Sequence, residues 1–189
     1  MKKIRLPISE KDIRLLKAGD EILITGTMVT ARDAAHKLLI EEKPDFPREV
    51  LNNGFIYHCG PIVRKTKFGW QFVAAGPTTS IREEPYQGTV IGEYNVRGVI
   101  GKGGMGEKTR IALKKHGAVY CLAIGGLAAI LAKSIVRIRE VWKLKEFGVP
   151  EAMWVIEATE FPAIVTMDAS GKSYHDEILR LSQKNLAAM

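Results

Sequence analysis

The sequence predicts a mixed α/β fold, and three observations carry that expectation. Short apolar runs such as Glu21–Thr25, Val96–Ile100 and Val119–Ile124 have strand length and are rich in Val, Ile and Leu. Stretches of helical period, such as Glu107–Lys115 and His175–Leu186, alternate with them along the chain. The 18 glycines are spread along the chain instead of clustered, which excludes collagen-like and low-complexity chains. With 46% hydrophobic and 26% charged residues over 189 positions, one domain can build its own core without a metal or disulfide staple.

Taken in order, Ser9-Glu10-Lys11-Asp12 reads as a capping box opening a short helix through Leu16 that stops near Gly19. Glu21–Thr25 reads as a strand ended by Gly26, and Thr30 as the cap of a second helix carrying Ala34, Ala35, Leu38 and Leu39. Phe55–His58 and Gln71–Ala75 are strands, Tyr86–Tyr94 a helix, and Val96–Ile100 a buried strand running into a glycine loop. A helix over Glu107–Lys115 ends at Gly117, since glycine takes the left-handed conformation that closes a helix. Val119–Ile124, Ile135–Trp142, Met153–Ala158 and Ala163–Met167 supply further strands, and His175–Leu186 a last helix.

Net charge is +7, from 28 Lys and Arg against 21 Asp and Glu, which draws anions without choosing among them. The basic residues are dispersed, and no Lys/Arg-rich arm marks a nucleic-acid binder. No apolar run approaches the roughly 20 residues of a membrane span, and the start lacks a signal-peptide core. Cys59 and Cys121 are too few for a disulfide scaffold, a zinc site or an iron–sulfur site of the chain's own. A cytoplasmic protein is expected.

Three loops carry candidate chemistry. Gly101-Lys102-Gly103-Gly104-Met105-Gly106 matches GxGxxG between a strand and a helix, yet no Asp or Glu follows between Glu107 and Glu140 to bind a ribose. Glu107 also interrupts the resemblance to a phosphate-binding P-loop. What survives is a set of backbone N–H groups at a helix N-terminus beside the charge of Lys102. Taken alone, a tight turn with a solvated lysine is the plainer account. Gly26–Asp33 places Arg32 in a first helical turn, where a cation opposes the helix dipole unless a bound anion, Asp33 or another acid compensates it. Gly76-Pro77-Thr78-Thr79-Ser80-Ile81-Arg82 offers hydroxyls, which often serve only as caps, and then an arginine. If the three preceding strands share a sheet, Arg32, Arg82 and Lys102 gather at one edge, where α/β proteins bind ligands. Such a set suits a small dicarboxylate, with arginine supplying bidentate geometry and lysine a point charge.

The histidines, His36, His58, His116 and His175, have no metal-ligand spacing, and packing or capping roles are expected of them. Cys59 and Cys121 lie in apolar strands and are expected to be inert. The small, apolar Gly125–Ala132 reads as a core helix or as a close contact with another element or subunit.

GTMVTARDAAH at Gly26–His36, YHCGPI at Tyr57–Ile62, GPTTSIREEPY at Gly76–Tyr86, VIGKGGM at Val99–Met105 and EATEFPAIVTMDASG at Glu157–Gly171 occur in that order over essentially the whole chain. Together they resemble the beta subunit of class I, iron–sulfur-dependent fumarate hydratases and of L-tartrate dehydratase, which also occurs as the C-terminal half of fused enzymes. The resemblance implies one swivelling β/β/α domain over residues 1–189 that is inactive without its alpha subunit. It implies reversible hydration of fumarate to (S)-malate, with tartrate or a related hydroxy-diacid as the alternative substrate. The [4Fe–4S] cluster is then carried by the alpha subunit's cysteines and none by this chain, in a heterodimer or heterotetramer without nucleic acid or membrane. Arg32, Arg82 and Lys102 look like the carboxylate binders and Thr78 the catalytic base, with Thr79 the alternative. A non-catalytic anion- or nucleic-acid-binding module is the rival from another class. Glu83 departs from the methionine often found in the family, and either pairs with Arg82 or points away from it.

Overall fold

A computed structural model describes residues 1–187. The chain runs through β1 (Lys2–Arg5), α1 (Glu10–Ile13), β2 (Glu21–Thr30), α2 (Asp33–Glu41), α3 (Arg48–Leu51) and β3 (Phe55–Tyr57). A hairpin of β4 (Ile62–Thr66) and β5 (Gly69–Ala74) follows, then a 3-10 turn at Ser80–Glu83 and α4 (Glu84–Tyr94). Next come β6 (Gly98–Gly101), α5 (Glu107–His116), β7 (Val119–Leu122), α6 (Ala128–Lys133), β8 (Ile135–Trp142), α7 (Leu144–Phe147), β9 (Met153–Met167) and α8 (Tyr174–Ala187). The mixed α/β expectation is met.

The main sheet has the order β1-β2-β3-β6-β7-β9-β8, and a further pairing of β2 with β9 closes β2, β3, β6, β7 and β9 into a ring. Strands β1, β2, β3, β6 and β7 are mutually parallel, while β9 runs antiparallel to β2, β7 and β8. Parallel strands are usually covered on both faces, and the two-residue period shows both faces covered here. Phe55, Tyr57, Ile100, Trp154 and Ile156 point into one core. Their neighbours Ile56, Val99, Met153 and Val155 point into another, against Ala35 and Leu39 of α2, Val90 and Ile91 of α4 and Leu113 of α5. Each fully buried large apolar side chain contributes about 1.5–3 kcal/mol, so the two layers hold the strand ends at fixed spacing.

The β4–β5 hairpin is a separate two-stranded sheet. Trp70 and Phe72 meet Trp154 edge-on, with ring centroids 5.7 and 5.9 Å away. The Tyr57 hydroxyl donates to the carbonyl of Ala75. These contacts fix the point from which the Gly76–Arg82 loop departs.

Several boundaries differ from the sequence expectation. Gly26 does not end β2; the strand shifts register between Ile24 and Gly26 and continues. Gly26 has φ +133°, and a Cβ there would lie 2.7 Å from the Leu6 carbonyl oxygen. Thr30 does not cap a helix: its hydroxyl accepts from the Trp154 N–H at 3.0 Å within the strand layer, and α2 begins at Asp33 with Arg32 as N-cap. Met153–Ala158 and Ala163–Met167 are one strand, bent at Glu160, whose φ is 50°. Ser9 does cap α1, accepting from the Asp12 N–H at 3.1 Å, but the helix stops at Ile13.

Candidate active site

The carboxyl ends of β2, β3, β6 and β7 lie side by side, and their hydrogen bonding continues past the strands. Ala31 N–H donates to the Tyr57 carbonyl (3.0 Å), His58 N–H to that of Ile100 (2.8 Å), and Ala123 N–H to that of Gly101 (2.9 Å). The Gly76–Arg82 loop is laced into the same edge. Thr78 N–H donates to the His58 carbonyl (2.7 Å), Lys102 N–H to that of Thr78 (3.1 Å) and Ser80 N–H to that of Lys102 (3.0 Å). The preceding strand β5 does not share the main sheet, contrary to the condition on which the three loops were expected to gather. The loop reaches the edge by itself, through a parallel bridge of Thr79 with Lys102.

Arg32 emerges at the N-cap of α2, with Nη2 3.1 Å from Glu151 and 3.9 Å from Asp33. Its Nε is buried and has no acceptor among the described residues. Gly60 makes room for this guanidinium: a Cβ there would sit 2.5 Å from Arg32 Nη1 and 2.9 Å from the Pro150 carbonyl. Arg82, in the 3-10 turn, places Nε 3.1 Å and Nη2 2.8 Å from the same oxygen of Asp33. Lys102 is exposed and forms no ion pair among the described residues. Thr78 is half-buried, and Thr79 is exposed. The structure thus brings Thr78 and Lys102 together by backbone bonds and Arg32 and Arg82 together around Asp33.

The α5 N-terminus is not an open anion site. Glu84 occupies it, accepting from Gly106 N–H (2.8 Å), Thr109 N–H (3.1 Å) and the Thr109 hydroxyl (2.7 Å). Lys102 therefore stands in the loop apart from the helix terminus. Glu83 makes no pair with Arg82; it is buried, with Oε2 3.4 Å from His36 Nδ1. Burial, together with the nearby carboxylates Asp33 and Glu151, pushes the Glu83 carboxyl up to about 7.

Behind the edge lies a buried polar network that local sequence spacing does not reveal. Gln87 Oε1 lies 2.9 Å from His36 Nε2 and 2.8 Å from His58 Nε2. His58 Nδ1 meets the Ser80 hydroxyl at 2.9 Å, and the Tyr120 hydroxyl donates to Ser80 Oγ at 2.9 Å. The two imidazoles stand edge-on, with centroids 5.0 Å apart. Burial holds both below the usual histidine range, and the adjoining His36 lowers His58 further. Gly101 is part of this arrangement, because a Cβ there would fall 1.9 Å from Ser80 Oγ. The expected simple packing role for His36 and His58 gives way to hydrogen bonding that ties the Arg32 and Arg82 segments together from below.

This arrangement defines an α/β domain with cations and hydroxyls set at the carboxyl ends of parallel strands. The Fumarase C-terminus family model matches residues 1–178, and the chain belongs to that family. It is 50% identical over 185 residues to a Geobacillus stearothermophilus protein named as a class I fumarate hydratase, covering 97% of this chain but 35% of that relative. The chain thus spans about a third of that relative's length. An Escherichia coli K12 protein named L(+)-tartrate dehydratase subunit beta is 42% identical over 176 residues, covering 92% of this chain and 86% of its own. A Methanocaldococcus jannaschii protein named for the same beta subunit is 41% identical over 177 residues, covering 90% and 89%.

Proposed function

We propose that this chain is the beta subunit of an iron–sulfur-dependent hydro-lyase that reversibly hydrates fumarate to (S)-malate. The observation that supports this reading is that the segments bearing Thr78 and Lys102, joined by backbone bonds, and those bearing Arg32 and Arg82, joined around Asp33, lie along one strand edge. Guanidinium groups held at a strand edge bind carboxylates through charge-assisted hydrogen bonds. Arg32 and Arg82 bind the two carboxylates and Lys102 adds a point charge. Thr78 removes the carbon-bound proton, its alkoxide favoured by the surrounding cations. Thr79 is the alternative base. In this reading the ring of strands with its helices acts as a swivelling β/β/α domain over residues 1–189.

This chain's residues do not fit an iron–sulfur cluster. Among the described residues no group of three or more His, Cys, Asp or Glu is placed to hold a metal ion. Cys59 and Cys121 are both buried, and burial pushes both thiols up, away from the thiolate form that ligates iron. We place the [4Fe–4S] cluster on a separate alpha subunit with its own cysteines, a reading supported by the relatives named as beta subunits. The assembly is a heterodimer or heterotetramer, located in the cytoplasm; no helix among the described residues is long and apolar enough to cross a membrane.

L-tartrate as substrate is the second reading, favoured by relatives of matching length named for that activity. The test is reconstitution. The chain purified alone is expected to fold and to show no hydratase activity, and mixing with a cluster-loaded alpha subunit under anaerobic conditions should restore turnover. Fumarate and L-tartrate assayed in parallel decide between the substrates. Turnover by the lone chain in metal-free buffer overturns the reading, as does salt-dependent DNA binding with no response to malate.

A further inference from the structure

With the Gln87 amide oxygen set between the two imidazoles, the donors and acceptors around His36 balance when one extra proton is present. Gln87 Oε1 faces the Nε2 of both His36 and His58 while Gln87 Nε2 is buried without a partner, and in this amide orientation each ring donates from Nε2. His58 is then satisfied as a neutral ring, since its Nδ1 accepts from Ser80, whose oxygen in turn accepts from Tyr120. His36 differs. Its Nδ1 faces only acceptors, the Arg32 carbonyl at 3.0 Å and Glu83 Oε2 at 3.4 Å. Glu83 Oε2 is itself buried without a hydrogen-bond partner. A proton between the ring and the carboxyl satisfies both groups, and removing it leaves a buried charge beside a lone pair.

We propose that His36 and Glu83 share one buried proton that positions Arg32 and Arg82 for the substrate, so that binding a dicarboxylate is coupled to holding that proton. His36 stands one helical turn after Arg32 and bonds to its carbonyl, while Glu83 directly follows Arg82. The pair therefore staples the two arginine-bearing segments from inside, beneath the Asp33–Arg82 ion pair on the surface.

The surrounding charges give the proton its effect. Asp33 from α2 and Glu151 from the segment before β9 face the pair as anions, and Arg32 and Arg82 as cations. His58 beside β3 and Tyr120 of β7 complete the shell as neutral groups, both disfavoured from ionising by burial. With the proton the set is electrically balanced; without it the set carries one net negative charge against an incoming dianion. The Glu83 carboxyl, raised to about 7, puts this exchange near neutrality.

This inference rests on the dicarboxylate reading, and two measurements separate their failures. In the full chain alone, ¹⁵N-histidine NMR through neutrality should show one titration shared by His36 and the Glu83 carboxyl, with Glu83→Gln leaving His36 neutral throughout. A wild-type His36 that stays neutral beside an ionised Glu83 below neutrality overturns the proposal whatever the substrate. In the assembled enzyme, succinate serves as a dicarboxylate with neither double bond nor hydroxyl to turn over. Its affinity should weaken about tenfold per pH unit above 7 in the wild type and stay flat in Glu83→Gln. Calorimetry in buffers of different ionisation enthalpy should show net proton uptake on binding in the wild type, a measurement that needs no variant. Succinate binding without pH dependence or proton uptake overturns the coupling. Failure of succinate and malate to bind at any pH instead overturns the dicarboxylate reading, while the NMR titration still decides whether the proton is shared.

Discussion

Asp33 reaches Arg82 through a single carboxylate oxygen, 3.1 Å from Nε and 2.8 Å from Nη2, so that two segments 49 residues apart share one ion pair. The arginine is more than half exposed, and such a pair contributes about 1 kcal/mol or less to stability. Its effect is to orient a guanidinium. Asp33→Asn is therefore expected to leave the melting temperature nearly unchanged and to raise KM for malate by about three- to tenfold, with kcat little altered. Steady-state kinetics beside a thermal melt check this; a lower KM would show that Asp33 competes with substrate.

The arginines themselves are tested by keeping the charge and removing the fork. Arg32→Lys and Arg82→Lys should each lower kcat/KM by tens- to a hundredfold, about 2–3 kcal/mol of transition-state binding. Wild-type kinetics in both variants would leave these residues without a role in binding.

Gly60 gives a test that touches no charged group. A Cβ there would sit 2.5 Å from Arg32 Nη1 and 2.9 Å from the Pro150 carbonyl, so Gly60→Ala must displace the guanidinium or the Pro150 segment. KM should rise at least about fivefold. A Gly60→Ala enzyme with unchanged KM and melting temperature contradicts this packing.

Glu83 leaves a mark on stability with a definite sign. Its carboxyl is raised from 4.5 to about 7 on folding, so the folded protein binds more protons than the unfolded chain between those values. The contribution of Glu83 to stability is then greatest below about 4.5 and falls as pH rises toward 7, with a slope of at most about 1.4 kcal/mol per unit. Denaturant melts of wild type and Glu83→Gln across that window should differ by this slope; parallel curves would place Glu83 among ordinary ionised carboxylates.

Local signals were legible in the sequence where the cause is local. The strand Ile135–Trp142 and the stop of α5 at Gly117, whose φ is 64°, follow from residues adjacent in the chain. The junction residues Arg32, Arg82 and Lys102 were legible because glycine and hydroxyl punctuation marks where strands end. What escaped was set by partners distant in sequence. Glu84 fills the α5 N-terminus from 22 residues away, and Gln87 joins His36 and His58 across 51 and 29 residues. Strand β9 reads as two strands because Thr159-Glu160-Phe161-Pro162 looks like a break. It stays one because its two halves pair with β2 on either side of the Gly26 bulge.

The central claim, that this chain supplies the carboxylate grip and the proton acceptor of a hydro-lyase, is tested most directly by exchange at the malate methylene in deuterated water. The assembled wild-type enzyme should wash deuterium into malate. Thr78→Val removes the hydroxyl and should abolish exchange while malate still binds, whereas Lys102→Met should raise KM and leave weak exchange at high substrate. Loss in Thr79→Val with wild-type exchange in Thr78→Val would move the base by one residue. Wild-type exchange in both threonine variants would contradict the account, because the proton would then be handled by the partner subunit.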